Sequence, residues 1–448
     1  MFDDDSTRVL DAHKLNKDTF CSFPFLQVAI KDWMGGTPNM IAPCCNAIGI
    51  GPNPMKLDME DIHKDFSFGK VFNSEQFVQL RKDLLAGVKN TACTYCWKLE
   101  EEGSYSPRVI SLDYLRDTVG FDKLDEVIET PVLRSVDMNF DNNCNLRCRM
   151  CSPNNSIKLK DDLAALLDAK LHLPINVRGY GPDRQAWLID FESTMPRKAF
   201  DDFKVVSDNL TGIRIAGGEP TISPFFWEWM EHLDQHDLKK NITMHLTTNG
   251  TKFNKKFFEA IKDFKKVELI VSIDGFGKPY DYLRHPFNWP KVRSNIENLI
   301  KLNLPNVVVG IVYIVNALTL STIPQLIEWV SGLDHRVQLD ANVYLRPDNT
   351  PLSARWLPKP LLAQYIRSVV EAVEGKPYYV RDKSLHAVDN LRHYLGEPED
   401  LQMQREFKRE LVVFDRIRNQ SYRDYLDPQL VEFLDTIELE EDYIKWHF

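Results

Sequence analysis

The segment NNCNLRCRMCSP, residues 142–153, brings together three cysteines, Cys144, Cys148 and Cys151. A structural zinc site takes four protein ligands, and an ordinary cubane iron–sulfur cluster takes one cysteine for each of its four irons. If these three thiols hold a cubane without a fourth cysteine, one iron has no protein ligand. An open coordination position on a metal is a place where a reacting molecule can bind.

Length and composition limit the classes of protein to consider. The chain has 448 residues, of which 43% are hydrophobic, so we expect two or three globular domains. Acidic residues (65) outnumber Lys and Arg (55), which disfavours nucleic acid as a partner. We find neither an apolar segment near the start nor a run of 18 apolar residues, which predicts a cytoplasmic protein without a membrane span.

The positions of the cysteines indicate metal or redox chemistry. Cysteines are confined to the first 151 residues of the chain. In a long chain without an export signal we expect reduced thiols rather than a disulfide framework. Beyond the loop quoted above, the cysteines are Cys21, Cys44, Cys45, Cys93 and Cys96. Their close spacing makes metal ligation more plausible than burial of inert thiols.

From about residue 132 the sequence alternates between strand-like and helix-like segments. Apolar, β-branched runs predict strands at 132–140, 212–217, 241–250, 267–275, 306–316 and 336–345. Amphipathic stretches predict helices at 155–170, 224–239, 253–264, 290–303 and 321–332. This order indicates parallel βαβ units, and hence a parallel sheet or partial barrel with its site at the carboxyl ends of the strands.

Polar motifs fall at those strand ends. The cysteine loop follows the first predicted strand, and GGEP (217–220) follows the second. TTNG (247–250) and SIDG (272–275) end the third and fourth strands. Because parallel strands end at one edge of a sheet, we expect these motifs to lie along the same edge.

A three-cysteine loop after one strand, followed by GGEP after the next, resembles the radical S-adenosylmethionine (radical SAM) superfamily over roughly residues 132–345. The resemblance implies a partial (β/α)6 TIM-like barrel. It also implies that Cys144, Cys148 and Cys151 bind a [4Fe–4S] cluster whose open iron is chelated by SAM. The implied chemistry is reductive cleavage of SAM to methionine and a 5′-deoxyadenosyl radical, which takes a hydrogen atom from the substrate. A flavodoxin or ferredoxin is the expected reductant.

The same resemblance supplies candidate SAM-binding residues. They are Met150, Gly217, Gly218, Glu219, Pro220, Thr248, Asn249, Ser272, Asp274 and Arg284. The two glycines are assigned to the methionine amino group, Glu219 to holding their turn, and Arg284 to the methionine carboxylate. Thr248, Asn249, Ser272 and Asp274 are candidates for bonding the ribose hydroxyls. Met150 stands where many relatives have an aromatic residue near the adenine. As alternatives, Arg284 forms a surface salt bridge and the strand-end motifs are ordinary turns.

The N-terminal cysteines resemble the auxiliary-cluster site of a twitch, or half-SPASM, domain, placed here before the barrel. The resemblance implies a second [4Fe–4S] cluster held by Cys21, one of Cys44 and Cys45, Cys93 and Cys96. A structural zinc ribbon is the alternative, since four thiolates suit tetrahedral zinc. We expect the auxiliary cluster to face the active site from the substrate side and to accept an electron there.

The domains expected are an auxiliary-cluster domain (1–115), a radical SAM core (130–348) and a C-terminal helical extension (349–448). The connection between Cys151 and GGEP is far longer than a crossover needs. Its excess is predicted to form a substrate lid that includes Arg178, Tyr180, Arg184 and Trp187.

The substrate class is inferred from the resemblance alone. Relatives with auxiliary clusters often modify peptides or proteins, so an oxidative peptide modification is expected. The alternatives are a sugar or nucleotide-linked small molecule, and a non-catalytic zinc or redox scaffold. No residue in the sequence identifies the catalytic acid or base.

Overall fold

A computed structural model describes residues 3–34, 37–44, 47, 65–101, 106–171, 192–333, 337–343 and 350–440. The described strands are β1 (Gln27–Met34), β2 (Thr37–Ala42), β3 (Ser135–Met138), β4 (Gly212–Ile215), β5 (Thr243–Thr248), β6 (Lys266–Ser272), β7 (Val307–Val315) and β8 (Val337–Val343). The described helices, apart from short 3-10 turns, are α1 (Asp4–Ala12), α2 (Phe23–Leu26), α3 (Phe68–Phe72), α4 (Glu75–Leu85), α5 (Thr94–Glu101), α6 (Pro107–Thr118), α7 (Leu124–Glu129), α8 (Leu159–Asp168), α9 (Arg197–Ser207), α10 (Pro224–Gln235), α11 (Lys255–Ile261), α12 (Lys278–Leu283), α13 (Trp289–Lys301), α14 (Ile323–Ser331), α15 (Lys359–Val373), α16 (Tyr378–Leu395), α17 (Leu401–Arg418) and α18 (Pro428–Thr436). None of these helices combines the length and the apolarity needed to cross a membrane.

The predicted alternation of strands and helices is confirmed from residue 132 onwards. Strands β3 to β8 match the six predicted strands to within three residues at each end. Helices α8, α10, α11, α13 and α14 occupy the predicted amphipathic stretches. Alternate residues of β7 are fully buried, as the period of two in a strand requires. The fold is therefore α/β with a parallel-rich sheet, with which the predicted partial (β/α)6 barrel is compatible.

By its internal contacts the chain divides into two compact units. The first unit comprises Met1–Asn142, Glu192–Leu246 and Ala260–Val267, and the second comprises Asn143–Phe191, Thr247–Glu259 and Glu268–Phe448. These units do not coincide with the three domains expected from the sequence, which remain a prediction.

In the first unit, the N-terminal segment contributes two strands to the sheet. The strand order there is β2-β1-β3-β4-β5. Strand β1 runs parallel to β3, with Gln27 opposite Ser135 and Ile30 opposite Met138. Strands β3, β4 and β5 are parallel as well, whereas β2 is antiparallel to β1. The sequence analysis placed residues 1–115 in a separate small domain, but here β1 lies beside the first predicted barrel strand.

Helices of the N-terminal segment cover the amino ends of these strands. The hydroxyl of Tyr114, on α6, forms a 2.6 Å hydrogen bond with Oγ of Ser135, the first residue of β3. A Cβ on Gly212, the first residue of β4, would lie 2.3 Å from that same hydroxyl. Helices α1, α2, α6 and α7 share an apolar core built from Leu10, Phe20, Phe25, Leu26, Leu112, Leu115, Leu124 and Val127.

The second unit combines strands β6-β7-β8 with the C-terminal helices. Strands β7 and β8 pair in parallel from Val309 opposite Val337 to Val315 opposite Val343. Helix α17 of the C-terminal segment packs against α8, which follows the cysteine loop. The ring of Tyr425 stacks on that of Tyr282 with centroids 5.3 Å apart.

Candidate functional site

The three-cysteine loop lies in the second unit and is largely buried. Cys144 and Cys148 are buried, and Cys151 is partly exposed. Leu146 forms an apolar cluster with the two buried cysteines, and Met150 packs against that cluster. The residue predicted to lie near the adenine therefore packs beside the thiols and is itself partly exposed.

Two residues predicted to bind SAM, Asp274 and Arg284, form a buried ion pair with each other. Nε of Arg284 donates to Oδ2 of Asp274 at 2.9 Å, and its Nη2 donates to the same oxygen. Oδ1 of Asp274 accepts from the backbone N–H of Ile314 at 2.8 Å. Nη1 of Arg284 lies 3.9 Å from Sγ of Cys148. The pair is buried rather than the surface salt bridge considered from the sequence, and it faces the second cysteine.

The positive charge of Arg284 affects the thiol that it faces. Burial raises the pKa of Cys148, because a thiolate is poorly solvated in the interior, and the Arg284 guanidinium opposes this rise. A thiolate at this position is therefore partly compensated by the protein before any metal binds.

The first cysteine of the loop has an amide partner. Asn249, directly after β5, places Nδ2 3.9 Å from Sγ of Cys144 and donates from the same nitrogen to Oδ1 of Asn145 at 3.0 Å. Its Oδ1 accepts from the backbone N–H of Thr251 at 3.0 Å. Asn145 in turn donates to the Thr251 hydroxyl at 2.9 Å. These bonds fix the side chain of Asn249 beside the thiol.

The GGEP motif lies in the first unit, directly after β4. Gly217 and Gly218 have φ values of +79° and +51°, which favour glycine. A Cβ on Gly217 would lie 2.7 Å from Cβ of Asn139, so no larger residue fits without a shift. Glu219 is buried and accepts from the backbone N–H and the hydroxyl of Thr221 at 3.1 and 2.6 Å. Its carboxylate thereby caps the 3-10 turn at Pro220–Ile222. The role expected for it in the Gly217–Gly218 turn stays a prediction.

Four N-terminal thiols line one cavity in the first unit. The walls of this small cavity are Cys21, Phe23, Pro24, Pro43, Cys44, Ala47, Cys93, Cys96 and Arg108. The structure thus brings together Cys44 and the three other predicted auxiliary ligands, whereas Cys45 lies outside the described residues. We call this group the four-thiol site.

The thiols of both groups resist ionisation without added positive charge. Burial raises the pKa of Cys21 to about 12, helped by the neighbouring Cys96. Burial also raises the pKa of Cys93, as does the proximity of Cys21 and Cys96. At the loop, burial and the neighbouring Cys148 raise the pKa of Cys151. Buried, clustered thiols fit a metal group, because metal ions supply the charge that converts them to thiolate ligands.

Four cysteine thiols around one cavity suit either of two metal groups. Zinc binds four such ligands at about 2.3 Å from one centre, whereas a cubane distributes its cysteines over four irons. Metal analysis decides between the two alternatives that the sequence left open.

The four-thiol site and the GGEP motif lie at opposite edges of the sheet in the first unit. Cys21 precedes α2 and β1, and Gln27 of β1 donates from Nε2 to the Pro43 carbonyl, next to Cys44, at 3.1 Å. The thiols are thus at the amino ends of the parallel strands, whereas Gly217 follows the carboxyl end of β4. The four-thiol site and GGEP therefore do not share an edge of this sheet, because β1 enters the sheet parallel to β3. The expectation that an auxiliary cluster faces the active site from the substrate side stays a prediction.

The remaining predicted residues are placed as follows. Thr248 is buried, and its Oγ1 accepts from the backbone N–H of Gly250 at 3.1 Å, which closes the strand-end turn. Ser272 is half-buried at the end of β6, and Pro220 is buried at the start of a 3-10 turn. The predicted lid residues, Arg178, Tyr180, Arg184 and Trp187, lie outside the described residues.

Sequence reasoning missed two charged residues of the cysteine loop itself. Arg147 and Arg149 flank Cys148, and their side chains pair with Asp162 and Asp415. The alternation Arg-Cys-Arg was a visible signal, because side chains two residues apart in extended chain lie on the same face. Asp415 belongs to the C-terminal segment, where no motif marked it.

Comparisons with known proteins identify one domain. The Radical SAM superfamily profile matches residues 138–330. SuiB of Streptococcus suis bound to S-adenosylmethionine is 12% identical, with a TM-score of 0.31 over 63% of this chain and 58% of that one. SuiB bound to its precursor peptide SuiA is 13% identical, with a TM-score of 0.32 over 63% and 59%. The chain spans about three fifths of the length of these structures. No curated protein matches.

Proposed function

We propose that this chain, which carries a radical SAM domain over residues 138–330, is an enzyme that cleaves S-adenosylmethionine reductively and takes hydrogen from a substrate. The observation that carries the proposal is the three-cysteine loop inside the matched range. Two of its thiols, on Cys144 and Cys148, are buried, and Arg284 faces Cys148. Three thiolates with no fourth cysteine leave the open metal position that SAM chemistry needs.

The residues around the loop have distinct roles in this proposal. Cys144, Cys148 and Cys151 supply the thiolates, and the amide of Asn249 and the guanidinium of Arg284 donate toward two of them. When bound, the reduced cluster supplies the electron that breaks the sulfonium bond of SAM. The chain itself keeps the loop dry, fixes the ligand side chains and balances their charge.

Gly217, Gly218 and Glu219 keep their proposed roles, whereas Asn249, Asp274 and Arg284 take new ones. Gly217 and Gly218 present backbone to the methionine amino group, and Glu219 holds their turn. Asp274 holds Arg284 and the backbone of Ile314, so both of its oxygens have partners other than a ribose hydroxyl. We therefore propose that Asp274 and Arg284 act on the cluster side of the site.

We propose a second [4Fe–4S] cluster in the four-thiol site, with a role that differs from the expected one. Its ligands come from the segment before α2, the segment after β2 and the region of α5, which a metal group would cross-link. Metal binding of this kind contributes directly to folding free energy. A position at the amino edge of the sheet supports a stabilising role better than electron transfer from substrate.

The substrate class remains as the sequence suggested. We propose oxidative modification of a peptide or protein in the cytoplasm, with a flavodoxin or ferredoxin as reductant. A sugar or nucleotide-linked small molecule is the second candidate. Incubation of the reconstituted enzyme with each class, followed by mass spectrometry for loss of hydrogen, distinguishes them.

Anaerobic reconstitution tests the proposed function as a whole. We expect about eight irons and eight sulfides per chain, the content of two cubanes. Addition of dithionite and SAM should yield methionine and 5′-deoxyadenosine in equal amounts. Zinc in place of iron, or loaded clusters without SAM cleavage, would indicate the non-catalytic scaffold instead.

A further inference from the structure

The cysteine loop is tied to the end of α12 by its backbone. The N–H of Arg147 donates to the carbonyl of His285 at 2.7 Å, and the N–H of Arg149 donates to that of Leu283 at 2.9 Å. These bonds lie on either side of Cys148. The position of the second cysteine therefore depends on the two arginines that flank it.

The side chain of Arg149 reaches α17 through a buried ion pair. Its Nη2 donates to Oδ1 of Asp415 at 2.7 Å, and the side chains of both residues are less than a tenth exposed. Tyr282 donates from its hydroxyl to the same oxygen at 2.7 Å, and its ring lies 3.6 Å from the guanidinium carbon of Arg149. Oδ2 of Asp415 accepts from the backbone N–H of Tyr422 at 2.6 Å.

The side chain of Arg147 reaches α17 through Asp162 on α8. Nη1 of Arg147 donates to Oδ1 of Asp162 at 2.9 Å. Arg418, the last residue of α17, donates to Oδ2 of the same carboxylate from Nη2 at 2.6 Å. Both arginines of the loop are thus held, directly or through one carboxylate, by the same C-terminal helix.

This network carries more positive than negative charge. Three guanidinium groups, on Arg147, Arg149 and Arg418, share the carboxylates of Asp162 and Asp415. Nη1 of Arg149 and Nη1 of Arg418 are buried and have no hydrogen-bond partner among the described residues. An excess buried positive charge is costly unless a negative charge lies nearby. Clustered thiolates on Cys144, Cys148 and Cys151 would supply that charge.

We propose that α17 is part of the cluster-binding machinery, with Asp415 and Arg418 as positioning residues that act through Arg149 and Arg147. This inference rests on the proposed function for the identity of the cluster. The helix fixes the backbone on both sides of Cys148 and keeps a net positive charge behind the loop. The C-terminal extension is then required for the chemistry of the domain that precedes it.

The charge balance is tested by the midpoint potential of the reconstituted cluster. The readout is the part of the electron paramagnetic resonance spectrum that changes when SAM is added, since only a cluster with an open iron responds. Asp415→Asn should raise the potential and Arg149→Gln should lower it, because a more positive surrounding favours the reduced state of the cluster. Each change should alter the equilibrium constant for reduction roughly tenfold. The double variant should return close to the parent value.

Two comparisons separate this role from general damage. Asp389→Asn breaks an exposed pair with Arg392 on α16, in the same extension, and should leave the potential unchanged. Shifts of the same sign in Asp415→Asn and Arg149→Gln, or no shift in either, would contradict the proposal. If the parent chain takes up no cluster at this loop, the proposed function fails.

A second measurement needs no cluster. In the cluster-free chain, hydrogen exchange at the amides of Arg147 and Arg149 should rise at least several-fold in Asp415→Asn and not in Asp389→Asn. If Asp415→Asn does not fold, Tyr282→Phe removes only one hydrogen bond to Asp415 and should raise exchange in the same way. Unchanged exchange would show that α17 does not hold the loop.

Discussion

Arg284 donates to Asp274 from two nitrogens and places the third, Nη1, 3.9 Å from Sγ of Cys148. This relationship links the segment after β6 to the cysteine loop. The aspartate orients the guanidinium, and the guanidinium faces a thiol whose ionised form the interior disfavours. A residue pair that the sequence assigned to SAM thus faces a thiol of the three-cysteine loop.

Arg284→Gln should be strongly destabilising. It leaves the buried carboxylate of Asp274 without its cationic partner, a change that costs about 3–5 kcal/mol in buried pairs. The free energy of unfolding, measured by urea denaturation, should fall by that amount. As a control, Lys240→Gln in the exposed pair with Asp237 should cost less than about 1 kcal/mol. Equal losses of unfolding free energy in the two variants would show that burial of the Arg284–Asp274 pair does not add to stability.

Gly217→Ala and Gly375→Ala form a matched pair of substitutions. Both glycines have positive φ, +79° and +68°, and an alanine there costs about 1–2 kcal/mol. Only at Gly217 does the new Cβ meet another group, Asn139, since nothing lies within 4 Å of a Cβ at Gly375. Gly217→Ala should therefore lose about 1–3 kcal/mol more stability, and it alone should weaken SAM binding. Equilibrium denaturation and SAM titration of both variants test this prediction. Equal losses of stability in the two variants would contradict it.

Stability should depend on His285 in mildly acidic solution. Burial and the positive charges of Arg418 and Arg147 lower the pKa of His285 to about 4. The unfolded histidine has a pKa of about 6.5, so the unfolded chain binds more protons between these values. The stabilisation is present above pH 6.5 and is lost as the pH falls toward 4, by roughly 2 kcal/mol. The free energy of unfolding should be measured against pH for the parent and for His285→Gln, and the difference between the two profiles isolates the contribution of His285. Identical profiles would contradict the prediction.

Cys93→Ala with Cys96→Ala tests the four-thiol site. The double variant should lose about half of the iron and unfold at a lower temperature, because the cross-link at the amino edge of the sheet is lost. Cleavage of SAM without substrate should persist. In the parent chain, which keeps all four thiols, zinc loaded in place of the second cluster should preserve stability and leave turnover intact if the site is structural. Loss of turnover with zinc bound would instead support the electron-acceptor role.

Much of the fold was predictable because its signals are local. The β-branched runs predicted β3 to β8, and the buried face of each strand explains why they are apolar. The cysteine loop and GGEP were recognisable by spacing and by their place after successive strands. The need for glycine at position 217 also follows from a local backbone requirement, a positive φ.

The features that could not be predicted depend on contacts distant in sequence. Arg149 and Asp415 are 266 positions apart, and nothing near either residue specifies the other. The position of β1 beside β3 depends on sheet order, which a strand's own sequence does not encode. That order decides the edge on which the four-thiol site lies. The spacing of its cysteines could group them in advance, but it could not place them at that edge.

The most direct test of the account is SAM cleavage by the variant in which Cys144, Cys148 and Cys151 are all replaced by alanine. Reconstituted anaerobically and reduced with dithionite, it should keep about half of the iron of the parent chain, held by the four-thiol site, and form no 5′-deoxyadenosine. The retained iron shows that the chain still folds and loads metal. Formation of 5′-deoxyadenosine at the parent rate by this triple variant would contradict the assignment of the three-cysteine loop.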